Sequence, residues 1–364
     1  MDRDPDRDRD RDQSAAPSAP TELTDLFPRY WNALASVDRS AAIGVAFEAV
    51  EIGHDVSSVL TGLVARGQIE VGRCWAANEW NIAQEHAATS VSEEVVAALG
   101  TRLRTRPHRG IVVVSCVEGE WHALPAKLLA ETLRGAGWDV RYLGASLPAA
   151  HLSQFIHDVG PDVVALSCSI PTSLPRARGM IEAARDGGVP VIAGGRGFGS
   201  DASRAQRLGA NGWAPTAPTA ARMLGSPDWP RFTERAPALD QVDDAAEVLW
   251  AATGRLTQLA ETELRRHFAG MADYDEQAVA RTREDLAHIV GFLAAALYVD
   301  ESALFEEFVA WLDALLVARE VPEEAVRIGL DALAAVLPPL PRAVAFLETV
   351  RHGPWASPVP ATAG

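Results

Sequence analysis

Residues 111–122, IVVVSCVEGEWH, decide how the middle of this chain folds. Residues 111–115 form a β-branched run typical of a buried strand, and a polar segment with Glu120 and His122 follows directly. Similar short apolar runs occur at residues 140–143, 163–167 and 189–193, each followed by a helical stretch. This alternation predicts a Rossmann-like, doubly wound parallel sheet over residues 108–230.

Small and polar residues follow three of these predicted strands. They are Glu120-Trp121-His122, Ser167-Cys168-Ser169 and Gly194-Gly195. All would lie at the carboxyl edge of the sheet, where open α/β folds bind their ligands. A loop histidine can offer one ring nitrogen to a metal while a nearby carboxylate accepts the proton of the other. We therefore expect a ligand site at this edge, where His122 would be either a metal ligand or an ordinary loop histidine.

Ahead of the sheet, the apolar residues recur at helical spacing. Residues 21–107 predict a four-helix bundle, in which segments 55–77 and 81–103 are separated by Asn78, a plausible cap. Residues 1–20 alternate opposite charges without apolar residues, which predicts a disordered tail, and residues 353–364 are expected to form a second tail. This organisation leaves no room for a DNA-binding domain ahead of the bundle, so direct nucleic-acid binding is not expected.

A second motif, WAANEWNIAQEH at residues 75–86, lies within the predicted bundle. A tryptophan followed by Glu85-His86 at this spacing resembles the signature of cobalamin-dependent photoreceptors. Glu120-x-His122 after a strand resembles the lower-ligand motif of cobalamin-binding domains. The resemblance covers residues 21–230 and implies adenosylcobalamin as the cofactor. It implies His122 as the lower ligand of cobalt and Glu120 as the partner of His122. It also places Ser167 and Ser169 on the displaced nucleotide tail, Gly194 and Gly195 along the channel of that tail, and Trp75, Glu85 and His86 around the adenosyl group.

The sequence departs from the family pattern at three positions. Pro125 stands where the lower-ligand motif usually has glycine, and Ser169 stands where a leucine is common. Ala76 replaces the histidine that can take the cobalt in relatives that repress carotenoid genes. After light removes the adenosyl group, His86 or water would therefore have to fill that position.

Residues 236–352 return to long helical patterns and predict an all-α domain, globin-like or phycobiliprotein-like. This domain order resembles photocobilins, whose C-terminal domain holds biliverdin beside the corrin. Candidate bilin contacts are Tyr274, Arg281 and His288, which would share a face if one helix continued through them, with Arg283, Arg266 and His267 nearby. No cysteine follows Cys168, so the bilin would be held without a covalent bond. A solvated arginine stripe, haem on His288 or His267, or a dimerisation surface remain alternatives.

Composition narrows the function classes further. A net charge of -16 argues against nonspecific attraction to phosphate backbones. No apolar run is long enough to span a membrane, which predicts a cytoplasmic protein. The 3 cysteines are widely spaced and indicate neither a disulfide framework nor a zinc site.

Together with these features, the resemblance to cobalamin-dependent photoreceptors implies a cytoplasmic light sensor rather than an enzyme. Adenosylcobalamin and non-covalent biliverdin would be its chromophores. Its partners would be further copies of the chain, in an assembly that changes with light, and a downstream signalling protein. Two other functions stay open, a corrinoid carrier for methyl transfer and a cobalamin-dependent antirepressor that binds a transcription factor.

Overall fold

The computed structural model describes residues 22–103, 105–229, 244–322 and 324–352. Both predicted tails, residues 1–20 and 353–364, lie outside the described residues. Three groups of elements follow one another along the chain: a set of helices, a parallel sheet flanked by helices, and a second set of helices. The helical and parallel-sheet parts predicted from the sequence are therefore present.

The first helical group is the predicted bundle. Its helices are α1 Leu23–Ala35, α2 Arg39–Glu51, α3 Val56–Val59, α4 Arg66–Ala76 and α5 Ile82–Gly100, and a π-helical stretch, Leu60–Ala65, joins α3 to α4. Tyr30, Leu63 and Leu99 are fully buried in a core shared by these helices. The bundle thus has its own apolar interior, as the helical spacing predicted.

The turn between α4 and α5 differs from the prediction in one detail. Asn81, not Asn78, caps the start of α5, because its side chain accepts a hydrogen bond of 3.0 Å from the backbone N–H of Gln84. Asn78 has a φ of 58° and lies just beyond the end of α4. Asparagine tolerates this left-handed conformation, so Asn78 ends one helix instead of starting the next.

The second group contains five parallel strands in the order β2-β1-β3-β4-β5. The strands are β1 Ile111–Cys116, β2 Asp139–Tyr142, β3 Val163–Ser167, β4 Val191–Gly194 and β5 Gly212–Ala214, and the accompanying helices are α6 Ala123–Gly135, α7 Ala149–Val159, α8 Leu174–Asp186, α9 Ser203–Arg207 and α10 Ala217–Leu224. The sequence did not predict β5, because Gly-Trp-Ala is too short to form an apolar run. The strand order reverses between β1 and β3, which makes their carboxyl ends the switch point of the fold.

The third group is helical throughout the described residues. Its helices are α11 Asp244–His267, α12 Glu276–Tyr298, α13 Ser302–Val317, α14 Glu324–Val336 and α15 Pro341–His352. The described part of residues 236–352 is therefore helical, as the sequence pattern predicted. Their apolar side chains continue the core on the α7–α8 side of the sheet, so this domain packs directly on the sheet domain. In the part of the chain that the structure describes, no helix is long and apolar enough to cross a membrane.

Candidate functional site

The loops that follow β1 and β3 are joined by one buried carboxylate. Glu120 is only 1% exposed, and its Oε1 accepts hydrogen bonds from the backbone N–H of His122 at 2.9 Å and from its ring Nδ1 at 2.6 Å. Its Oε2 accepts the backbone N–H groups of Ser169 at 2.6 Å and Ile170 at 3.1 Å. Four donors from two loops therefore meet at a single carboxylate.

This contact determines how the His122 ring is oriented and protonated. A carboxylate can only accept hydrogen bonds, so Nδ1 must carry the proton it shares with Glu120. The Nε2 lone pair is then free to bind a metal, and within the described residues Nε2 has no hydrogen-bond partner. The side chain is 59% exposed. His122 thus offers a fixed, accessible nitrogen ligand at the sheet edge.

The charges at this edge support the same protonation states. Burial alone would raise the pKa of Glu120, but hydrogen bonds from His122 and Ser169 outweigh it and hold the pKa below its usual value. The hydrogen bond from Glu120 raises the pKa of His122, burial opposes this, and the Glu85 carboxylate of the bundle raises it further. The bundle motif and the sheet motif are therefore close enough to interact electrostatically.

Glycines allow close packing beside these loops. Gly195 has a φ of +95°, and a Cβ there would lie 2.4 Å from the carbonyl oxygen of Cys168. A Cβ on Gly194 would lie 2.9 Å from the carbonyl oxygen of Ala214 in β5. Both positions require glycine for contacts within the protein. Ser167, in the same region, is buried at the end of β3.

The bundle motif forms a second polar cluster. One Glu85 oxygen accepts the Nδ1–H of His86, and the other lies 3.0 Å from the hydroxyl of Thr89. That hydroxyl is also 3.0 Å from Oε1 of Gln68. The side chain of Glu85 is 26% exposed and that of His86 is 73% exposed. His86 is therefore largely exposed, while Glu85 is held by its neighbours.

Trp75 lies at the end of α4, where the C-terminal helices contact it. Its ring stacks on that of Trp311 in α13, with a centroid distance of 6.3 Å and an interplanar angle of 27°. The guanidinium carbon of Arg319 lies 5.0 Å from the centroid of the Trp75 ring. The predicted adenosyl contact is therefore engaged by two side chains that the sequence did not single out.

Two protein-family models match the chain, and both describe a B12 binding domain. One matches residues 110–222 and the other residues 26–99. The chain contains cobalamin-binding domains. The first match includes the Glu120–His122 loop, and the second includes the bundle motif.

Known relatives agree with this assignment. Dimethylamine corrinoid protein 1 of Methanosarcina acetivorans is 26% identical over 161 residues, which cover 42% of this chain and 76% of that protein. The HTH-type transcriptional repressor CarA of Myxococcus xanthus is 27% identical over 151 residues, 42% of this chain and 50% of the repressor. The solved monomethylamine corrinoid protein of Methanosarcina barkeri has a TM-score of 0.50 at 17% identity, covering 55% of this chain and 97% of that one, and supports the fold alone.

The described residues offer no competing metal site at this edge. They contain no group of three or more histidine, cysteine or carboxylate side chains that could hold a bare metal ion. Burial, together with the negative charge of Glu120, raises the pKa of Cys116 to about 12. Burial also raises the pKa of Cys168 far above its usual value. Both thiols therefore stay protonated at neutral pH, which makes them poor metal ligands.

The predicted bilin contacts do not form one cluster. Tyr274 precedes α12, which begins at Glu276, so it does not share a helix face with Arg281 and His288. Its ring instead packs edge-on against Phe268, 6.2 Å between centroids. Arg281 and His288 are both exposed on α12. The guanidinium of Arg283 is bound to Glu261 of α11, as is that of Arg265.

Sequence reasoning missed several residues that shape the site. Ile170 contributes only a backbone N–H, which no side-chain pattern reveals. Ser169 was expected to touch the nucleotide tail, and the structure adds a second role, since its backbone holds Glu120. Arg319 and Trp311 both lie more than 200 residues after Trp75 in the sequence. Arg319, which donates a hydrogen bond to Trp75, is 244 positions away from it. Only the packing of the C-terminal domain brings them together.

Proposed function

We propose that the chain binds cobalamin with Nε2 of His122 as the lower ligand of cobalt. The observation that carries this proposal is the buried Glu120 carboxylate, which accepts the Nδ1–H of His122. Among the described residues, Nε2 has no hydrogen-bond partner. Carboxylate partners of this kind raise the basicity of a metal-bound histidine and fix its tautomer. The location at the β1/β3 switch point, the ligand edge of this fold, supports the same assignment.

The nucleotide tail of the cofactor would enter the sheet domain beside Ser167 and the loop after β3. Ser167 is buried there, and Ser169 lies next to Glu120. Gly194 and Gly195 allow the loop after β4 to approach Cys168 and β5 closely. We assign these four residues to the tail channel, since larger side chains at the two glycines would displace its walls.

The bundle residues would enclose the upper face. Trp75 offers an aromatic surface that suits a nucleoside, and Glu85 and His86 offer polar groups beside it. When bound, adenosylcobalamin supplies a cobalt–carbon bond that light can break. Glu85 also interacts electrostatically with His122, which supports a corrin site between the bundle and the sheet.

The function that this arrangement supports best is light sensing. Trp75 contacts Trp311 and Arg319 of the C-terminal domain, so the proposed upper pocket is linked to a further domain. A sensor needs such a link, because the signal is a difference in stability between two arrangements of its domains. A change in assembly, a signalling partner, or an antirepressor action on a transcription factor would lie downstream of this step.

A corrinoid methyl carrier is the second candidate, and the relatives' names favour it. Dimethylamine corrinoid protein 1 matches over most of its own length. A carrier must expose the upper face of the corrin to partner enzymes, whereas the C-terminal domain here reaches Trp75. The two candidates therefore predict different preferences for the upper substituent on cobalt.

The test is to load the full chain with adenosylcobalamin or methylcobalamin in the dark and compare affinities, then illuminate and measure elution volume and protease susceptibility. A sensor prefers the adenosyl form and changes on illumination. Trp75→Ala should reduce both effects, while Trp31→Ala, which removes a bundle tryptophan stacked on Trp80, should preserve them. Equal affinity for both forms, with no change on illumination, would favour the carrier.

Biliverdin binding by the C-terminal domain is a separate part of this proposal. Because Tyr274 lies outside α12, Arg281 and His288 on that helix remain the best candidates for bilin contacts. They flank Asp285. Burial raises the pKa of Asp285, and the charges of His288 and Arg281 partly oppose that rise. The test is to add biliverdin to the full chain and to an Arg281→Ala/His288→Ala double variant. Loss of far-red absorbance in the variant is expected. Equal absorbance in both would remove these residues from the bilin site, and none in the wild type would remove biliverdin.

A further inference from the structure

Arg319, two residues beyond the end of α13, caps the end of α4 in the bundle. Its guanidinium donates hydrogen bonds to the carbonyl oxygens of Trp75 at 3.1 Å and Ala76 at 3.2 Å. A third hydrogen bond, of 3.0 Å, goes to the carbonyl oxygen of Leu315 in α13. The last carbonyls of a helix lack partners within the helix and carry partial negative charge, so a cation is favourable there.

The same guanidinium lies over the Trp75 ring while Trp311 stacks on that ring. Trp311 in turn contacts Phe308, which stacks on Phe292 of α12 at 3.7 Å between centroids. An aromatic series thus runs from the interior of the C-terminal domain to Trp75. Both the backbone and the side chain of Trp75 are fixed by this domain.

The C-terminal domain is itself anchored on the sheet domain. Arg204, 6% exposed, forms two hydrogen bonds to the Glu301 carboxylate, at 2.7 and 2.8 Å. Arg207 donates to the carbonyl oxygens of Val299 and Asp300 at the end of α12. The domain therefore spans from the cobalt-binding unit to the bundle, and Arg319 holds Trp75 relative to the sheet.

We propose that Arg319 and Trp311 are positioning residues that hold Trp75 in the conformation that selects the adenosyl substituent. This rests on the proposed role of Trp75 in the upper pocket. Holding the ring in place beforehand removes the cost of ordering it when the adenosyl group packs against it. Ordering one such side chain costs about 0.5–1.5 kcal/mol, which corresponds to a loss of about two- to tenfold in affinity. Hydroxocobalamin has no adenosyl group to contact, so its affinity should not change.

The experiment uses the full chain and five variants, Arg319→Ala, Arg319→Lys, Trp311→Ala, Trp75→Ala and Arg327→Ala. Arg327 is an exposed arginine of the same domain and serves as the matched control. Affinities for adenosylcobalamin and hydroxocobalamin are measured in the dark, and the midpoint of thermal unfolding is measured without cofactor. The expected result is a ratio of the two affinities reduced about two- to tenfold in Arg319→Ala and Trp311→Ala. Arg319→Lys should restore part of it, because lysine keeps the charge but cannot bridge both carbonyls.

The two proposals fail in different ways. If Trp75→Ala lowers the ratio while Arg319→Ala and Trp311→Ala do not, Trp75 keeps its proposed role and the positioning inference is wrong. Equal losses of affinity for both cobalamins in Arg319→Ala would also overturn it, since they indicate a merely structural role. An unchanged ratio in Trp75→Ala would remove the adenosyl pocket, and the inference with it.

Discussion

Replacing Glu120 by glutamine changes one atom group at the centre of the site and should abolish most of its affinity for cobalamin. Each Glu120 oxygen accepts two hydrogen bonds, one pair from His122 and one pair from Ser169 and Ile170. Glutamine has only one acceptor oxygen, so one pair of donors must face an NH₂ group. The oxygen should turn to Ser169 and Ile170, because neither of these backbone amides can give up its proton. On the His122 side only the backbone N–H is fixed, and the ring can change its tautomer.

The NH₂ group then faces the His122 ring, which can accept its hydrogen bond only by moving the ring proton from Nδ1 to Nε2. That tautomer has no lone pair on Nε2 and cannot bind cobalt. Loss of such a supporting partner typically reduces metal affinity about 10–100-fold. This equals about 1.4–2.8 kcal/mol, similar to one hydrogen bond to a charged group, about 1.5–3 kcal/mol.

The assay is a titration of the apo protein with hydroxocobalamin, followed by absorption. Glu118→Gln is the matched control, since it makes the same change two residues earlier without touching His122. Circular dichroism should show that both variants are folded. If Glu120→Gln binds hydroxocobalamin as tightly as wild type and with the same spectrum, the Glu120 carboxylate does not control the His122 tautomer.

Three further predictions follow from the same region. In the apo protein, NMR titration should place the pKa of His122 above 6.5, and Glu120→Gln should lower it. Because the pKa is raised in the folded protein, the contact with Glu120 adds to the free energy of unfolding below pH 6.5. This contribution is lost as the pH rises through the folded-state pKa. Gly195→Val should lower the free energy of unfolding, measured in urea, by roughly 1–3 kcal/mol, because residue 195 has a positive φ. Gly44→Ala on α2 should not lower it, because nothing lies within 4 Å of the added Cβ. Arg204→Ala should lower the thermal midpoint by leaving Glu301 without its buried partner.

The sequence predicted the secondary structure and the Glu120–His122 motif because both are local. A β-branched run identifies β1 within a few residues, and the motif follows it directly. The capping detail at Asn78 was wrong because two asparagines compete within four residues and only the backbone conformation distinguishes a helix end from a helix start. β5 was missed because its three residues are defined by pairing with β4, not by their own pattern.

The contacts between domains could not be predicted in the same way. Arg319 meets Trp75 only because α13 ends beside α4, and no spacing in the sequence encodes this. The expected face of Tyr274, Arg281 and His288 was wrong for Tyr274, because α12 begins two residues later. A seven-residue spacing predicts a shared face only inside one helix, and the helix boundary was the uncertain element.

The central claim, that Nε2 of His122 binds cobalt, can be tested by electron paramagnetic resonance of the protein loaded with unlabelled cob(II)alamin. Protein grown with ¹⁵N-histidine is compared with unlabelled protein. A bound ¹⁴N nucleus splits each cobalt line into a triplet, and a bound ¹⁵N nucleus splits it into a doublet. We predict that labelling converts the triplets to doublets in the wild type, and that His122→Ala shows no effect of labelling. Triplets that persist in labelled wild-type protein would show that the cofactor keeps its own base on cobalt, and would contradict the account.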